Sequence, residues 1–172
     1  MENMGTERVT VCFTGNPNCG KTTLFNAYTG AGKKTANWPG VTVELSEGSL
    51  MHRGRPVLLV DTPGIYSLDS YTMEETVTRQ CIRDQKADVI IHVADALLLE
   101  RSLFLSMQLL AEGRPMVLAL NMMDLVRERG MDIDIGRLSG LLGGIPVIPV
   151  SARRRTGLEE LMDAAVETAR AR

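Results

Sequence analysis

The chain of 172 residues predicts an α/β fold: a mostly parallel, six-stranded sheet with one antiparallel edge strand, held between two layers of helices. Three observations lead there. Short continuous apolar runs alternate with helical patterns, as strands buried on both faces of a parallel sheet do. One segment, Val41–Leu50, instead alternates Val41, Val43 and Leu45 with Thr42, Glu44 and Ser46, the pattern of a half-exposed edge strand. Finally, Gly15-Asn16-Pro17-Asn18-Cys19-Gly20-Lys21-Thr22 satisfies G-x-x-x-x-G-K-[ST] between an apolar run and a helical pattern, the strand–loop–helix context this spacing requires.

Taken in order, the first strand is Val9–Phe13 and the first helix Lys21–Tyr28. A polar, poorly periodic stretch, Ala31–Gly40, leads to the edge strand, and an Arg53-Gly54-Arg55 turn folds it onto Val57–Val60 as a hairpin. A second irregular stretch, Thr62–Thr72, precedes a helix over Met73–Arg83. Strands at Val89–Ala94, Met116–Leu120 and Val147–Val150 then alternate with helices at Leu99–Glu112, Gly136–Leu142 and Leu158–Ala171. In the last helix Leu158, Leu161, Met162, Ala165 and Ala169 form one apolar face, read as core.

Composition narrows the function classes. The length suits one domain, and no apolar run approaches the ~18 residues of a membrane helix. A net charge of −2 gives no broad basic footprint for nucleic acid. The polar, acidic start Met1-Glu2-Asn3-Met4-Gly5 is unlike a signal peptide. Cys12, Cys19 and Cys81 are too scattered for a disulfide framework and point to a reducing compartment, Cys12 and Cys81 as small core residues. His52 and His92 lack ligand-like partners and read as structural.

The Gly15–Thr22 pattern builds a loop whose backbone N–H groups converge on a phosphate chain. Lys21 brings a point charge for the β- and γ-phosphates, and Thr22 a hydroxyl for Mg²⁺; Asn16, Asn18, Cys19, Gly20 and Thr23 complete the cradle. Asp61-Thr62-Pro63-Gly64 ends the third apolar run, so the Asp61 carboxylate can hold Mg²⁺ through water while the Gly64 N–H meets a γ-phosphate. Asn121-Met122-Met123-Asp124 follows another strand, where ligands bind in open α/β sheets. Asp124 can only accept hydrogen bonds, which suits the two adjacent donors of guanine, with Asn121 tying this loop to the phosphate loop. Ser151-Ala152-Arg153 falls last, where backbone can approach the guanine oxygen. Each of the last three motifs is weak alone, and their order makes them strong.

The ordered series GNPNCGKT, a switch-region Thr, DTPG, NMMD and SAR resembles the Ras-like, TRAFAC-type GTPase domain, a three-layer P-loop NTPase fold. Gly15–Gly30 (GNPNCGKTTLFNAYTG), Asn37–Glu44 (NWPGVTVE) and Asp61–Leu68 (DTPGIYSL) resemble more narrowly the cytosolic G domain of the bacterial ferrous iron transporter FeoB family. Similar wording runs through Leu99-Glu100-Arg101, NMMD and Ile145–Ala152 (IPVIPVSA), covering nearly the whole chain. Met122 agrees, since this family places an apolar residue where most GTPases have Lys; it can pack over loop and base without the charge.

The resemblance implies a single G domain over residues 1–172, binding GTP and GDP with Mg²⁺. The family's helical and membrane domains are absent from this chain, which alone would be soluble at the cytoplasmic face of the inner membrane. A homo-oligomer is compatible with it, and no nucleic-acid partner is expected. The irregular stretches 31–40 and 62–72 become switch candidates. Thr42 is the switch residue for Mg²⁺ and γ-phosphate, with Thr35 as rival. Ile65 stands where many relatives place the water-orienting Gln, and no arginine finger is identifiable. The family suggests K⁺ instead, held by Asn18 and by carbonyls near Ala36 and Trp38; the alternative is that Asn18 only bonds its own loop. Ala36 departs from the Gly common there. The catalytic set is therefore Lys21, Asn18, Thr42 and Gly64. A free-standing GTPase of ribosome assembly or tRNA modification is the competing function, and binding without hydrolysis a third.

Overall fold

The computed structural model describes residues 7–37, 44–69, 71–84 and 87–171. Its strands are β1 (Val9–Gly15), β2 (Lys34–Asn37), β3 (Glu44–His52), β4 (Arg55–Asp61), β5 (Val89–Asp95), β6 (Met116–Asn121) and β7 (Val147–Pro149). The α-helices are α1 (Lys21–Thr29), α2 (Met73–Arg83), α3 (Leu99–Ala111), α4 (Met123–Glu128), α5 (Ile135–Leu141) and α6 (Leu158–Arg170). The seven strands lie in the order β2-β3-β4-β1-β5-β6-β7, with β4 to β7 joined in parallel through β1 and β3 antiparallel to both its neighbours.

Among the described residues the sheet thus has seven strands, not six. The additional strand is β2, inside the stretch read as irregular, pairing Lys34 with Glu47 through Asn37 with Glu44. Its four residues Lys-Thr-Ala-Asn are mostly exposed and carry no apolar alternation, so pairing with β3 creates the strand rather than any local signal. Helix α4 was also unforeseen: six residues are too few to show a helical period. The edge-strand expectation over residues 41–43 lies outside the described residues.

Side-chain alternation along the strands sorts the core into two faces. Val11, Phe13, Leu59, Ile91, Val93 and Ala119 point toward α1 and α6, where they meet Leu24, Phe25, Leu161 and Met162. Phe13 and Phe25 cross edge-to-face at 5.8 Å. Cys12, Leu58 and Val60 pack against Val77 and Cys81 of α2 on the other side. On that same face Ile90 meets Leu105 and Leu109 of α3, and Leu118 and Leu120 meet Val126 and Leu138.

Both histidines are structural. His92 is fully buried on β5, its Nδ1 2.9 Å from the Ser106 hydroxyl, and burial pushes its pKa down to about 3. His52 ends β3 and meets Asp163 of α6 at 2.6 Å. The following Arg53 takes a left-handed φ of 46° in the hairpin turn and bonds Asp163 (2.6 Å) and Glu159 (2.9 Å), so the hairpin is tied to α6 at its tip. Pairing Phe13 with Asp61, Gly15 with Val93 and Asp95 with Asn121 brings the carboxyl ends of β1, β4, β5 and β6 to one rim.

Candidate functional site

The phosphate loop leaves β1 at Gly15 and enters α1 at Lys21. Asn18 (φ 66°) and Gly20 (φ 86°) are both left-handed, which curls the backbone into a cup. Neither loop glycine has room for a side chain. A methyl at Gly15 would stand 2.6 Å from the Val93 carbonyl, and one at Gly20 2.2 Å from Asn121 Nδ2. Cys19 is buried under the loop, and burial pushes its thiol up to about 11, so it contributes size and a carbonyl rather than a nucleophile. A cavity of about 360 Å³ opens over the loop, lined among others by Asn16, Asn18, Lys21, Thr22, Thr23 and Gly64.

Lys21 is buried, and its Nζ donates to the Asp61 carboxylate and to the Thr62 carbonyl at 2.5 Å. A buried ammonium needs such partners, and phosphate oxygens could supply the same charge. The Asp61-Thr62-Pro63-Gly64 backbone is pinned to β1 by Thr62 N–H and hydroxyl, both donating to Phe13 O (3.1 and 2.7 Å), and by Ile65 N–H to Gly15 O (3.0 Å). Gly64 packs on Pro17, where an added methyl would fall 3.1 Å from its Cα. The Ile65 side chain turns into the core with Leu68 and Ile82, so it orients no water.

The base loop is built around Asn121, the last residue of β6. Its Nδ2 donates to the Cys19 carbonyl and its Oδ1 accepts from the Ala152 N–H, both at 3.0 Å and both buried. One side chain therefore joins three loops. Met122 takes a left-handed φ of 67° and caps α4, with its Cε 3.8 Å from where a Gly20 methyl would stand, so its tip covers the phosphate loop. Asp124 follows in the first turn of α4. A pocket of about 130 Å³ is lined by Gly20, Thr23, Asn121, Met122, Asp124, Ser151, Ala152 and Arg153. Burial pushes the Asp124 carboxyl up, but the neighbouring Ser151 hydroxyl, backbone N–H groups and Arg154 guanidinium outweigh it and hold the group below its ordinary value.

Two buried acceptors at the site lack hydrogen-bond donors: Asn16 Oδ1 and Asp124 Oδ2. Thr22 and Asp61 supply the hard oxygen donors that Mg²⁺ prefers, and the orphaned Asn16 oxygen suits a cation or its water. Asn18 is exposed, and among the described residues its side chain takes no hydrogen-bond partner in its own loop. Lys21 is the one cation lining the phosphate cavity among the described residues. Arg53 binds α6, Arg155 bonds the Ala27 carbonyl at 3.0 Å, and Arg101 lies over the Tyr66 ring at 4.9 Å. Thr42 and Trp38 lie outside the described residues, and Ala36 pairs with Leu45 in β2. Sequence reading missed Arg154, whose Nε is 3.4 Å from Asp124 Oδ2; as the middle of three arginines it carried no signal.

With phosphate loop, Asp-Thr-Pro-Gly and Asn-x-x-Asp loops meeting on one rim of a mostly parallel sheet, the molecule is a G domain of the phosphate-loop class. Comparison with known proteins narrows this. The chain belongs to the ferrous iron transport protein B family, whose profile matches residues 9–165. It is 46% identical over 151 residues to the Fe(2+) transporter FeoB of Legionella pneumophila (strain Paris), covering 86% of this chain and 20% of that protein. Against FeoB of Shigella flexneri the identity is 44% over 159 residues, with 90% and 20% covered. The chain thus spans about a fifth of the relatives it matches. The G domain of T. maritima FeoB superposes with a TM-score of 0.85 at 40% identity, covering 95% of this chain and all of that one. An S. thermophilus NFeoB variant bound to GDP gives 0.86 at 41%, covering 93% and 62%.

Proposed function

We propose that this chain binds GTP and GDP through guanine-selective contacts and hydrolyses GTP with Mg²⁺ and K⁺, as the nucleotide-controlled module of a ferrous iron transporter. The observation that carries the reading is Asn121, which fixes the phosphate loop, the Asp124 loop and the Ser151-Ala152-Arg153 backbone into one surface. Lys21 would hold the β- and γ-phosphates, and Gly64 N–H the γ-phosphate alone. Mg²⁺, bound by Thr22 and Thr42 with Asp61 through water, would neutralise developing charge. K⁺, held by Asn18 and by carbonyls near Ala36 and Trp38, would supply further positive charge, which suits a cavity whose lining offers no arginine among the described residues. Asp124 would take the guanine donors, and Asn16, Cys19, Gly20, Thr23, Met122, Ala152 and Arg153 would enclose the nucleotide.

Family membership favours the transporter reading over a ribosome- or tRNA-directed GTPase. No described helix is long and apolar enough to cross a membrane. Transport would therefore rest on the helical and membrane domains that make up the rest of such proteins, with the switch stretches coupling nucleotide state to them. The test is nucleotide titration with GDP and ADP, followed by single-turnover GTP hydrolysis in KCl and NaCl at equal ionic strength. Guanine preference, K⁺ acceleration of the wild type and its loss in Asn18→Ala are expected. Equal affinity for GDP and ADP refutes the base assignment, and equal rates in the two salts refute the cation site.

A further inference from the structure

The loop after Ser151 is closed on itself. Ser151 and Thr156 exchange both backbone hydrogen bonds at 3.1 Å, and the Arg154 N–H donates to the Ser151 hydroxyl at 3.1 Å. That closure projects the Arg154 side chain across to α4. There its Nη2 donates to Glu128 Oε1 at 3.0 Å, and its Nε stands 3.4 Å from Asp124 Oδ2. Asp124 and Glu128 are four residues apart on one helix, so they share a face. Glu128 is half-exposed, but the Asp124 side chain is only 10% exposed and its Oδ2 has no hydrogen bond.

Resting on the guanine reading above, we propose that Arg154 is a positioning residue for the base: its guanidinium holds the Asp124 carboxylate aimed while guanine is bound. A carboxylate offers about four lone-pair positions, so the oxygen turned toward the Arg154 guanidinium still leaves room for the two guanine donors. Without Arg154, the Asp124 oxygen that faces it would have to be fixed in place by the nucleotide itself, at a cost in side-chain freedom and in desolvated charge. With Arg154 anchored to Glu128 and to its own closed loop, that ordering is complete before the base arrives. The effect belongs to the dissociation rate, because the pair is short-ranged and lies beside the ligand. It is also modest, since Arg154 is half-exposed and solvent screens it.

The experiment measures release of a fluorescent GDP analogue from the wild type, Arg154→Ala and Arg154→Lys. Arg154→Ala should release it about three- to tenfold faster, and Arg154→Lys should recover most of the difference at low salt. The ratio should fall toward one in about 0.5 M NaCl, where screening acts over a few ångströms. A base swap separates positioning from loop stability. Asp124→Asn presents an amide donor suited to the C2 carbonyl of xanthine, and against XDP the further change Arg154→Ala should matter less than about twofold, because no carboxylate remains. No change in GDP release, a ratio indifferent to salt, or equal acceleration for XDP would each overturn the proposal. A wild type that binds GDP no better than ADP would instead bring down the guanine reading, and Arg154's role with it.

Discussion

Removing the Asn121 side chain tests whether one residue holds the three loops together. In Asn121→Ala the Cys19 carbonyl and the Ala152 N–H both lose their partner, and both side-chain bonds are buried at 3.0 Å. Leaving a buried backbone group unpaired costs about 1–3 kcal/mol, so the two together cost about 2–6 kcal/mol if no water repairs them. Against a typical stability of about 5–15 kcal/mol the loss is severe, and it corresponds to a Tm lower by about 5–20 °C for a domain of this size. The assay is urea unfolding of the nucleotide-free domain, with Cm and m compared. Asn121→Asp supplies the control: it keeps the acceptor for Ala152 but turns a carboxylate oxygen onto the buried Cys19 carbonyl, and at neutral pH it should lose at least as much as Ala. A loss below about 0.5 kcal/mol in Asn121→Ala, with m unchanged, would refute the clamp.

Three further outcomes are expected. Asp124→Ala should weaken GDP binding by several kcal/mol while leaving ADP binding unchanged, because only guanine's donors lose a charged acceptor; isothermal titration with both nucleotides decides it. Thr42→Ala should slow single-turnover hydrolysis at least about tenfold but shift GDP affinity less than about threefold, since GDP lacks the γ-phosphate; parallel losses would argue against the assignment. The Asp163 carboxyl is held well below the usual range, first by Arg53 and then by His52. A depressed carboxyl stabilises the fold above its unfolded value near 3.9 and loses that contribution as pH falls through and below it. The gap in urea midpoint between wild type and Asp163→Asn should therefore be full at pH 6 and shrink below about pH 4; a gap constant across that range would show that charge is not its source.

The sequence by itself determined the class of fold, the parallel core strands and the four site motifs. The reason is that their information is local: continuous apolar runs, a helical period in α6, and fixed spacings such as Gly15 to Thr22 lie within contiguous residues. The helix Met73–Arg83 has the bounds its pattern predicts, and the structure adds the cap that starts it, Thr72 accepting from the Glu75 N–H. Ile65 was legible as a missing Gln, but only the fold shows its side chain committed to the core. Tertiary structure alone decided the rest. β2 is a strand because β3 offers it an edge, and the short α4 is held by burying Met123 and Val126 in the core. Asn121 meets Cys19 across 102 residues of chain, and Arg154 meets Glu128 across 26. Such pairs depend on where the parallel crossovers return each strand end, and no residue-level preference encodes that. Three arginines in a row read alike in sequence; the closed Ser151–Thr156 loop aims the middle one at Asp124.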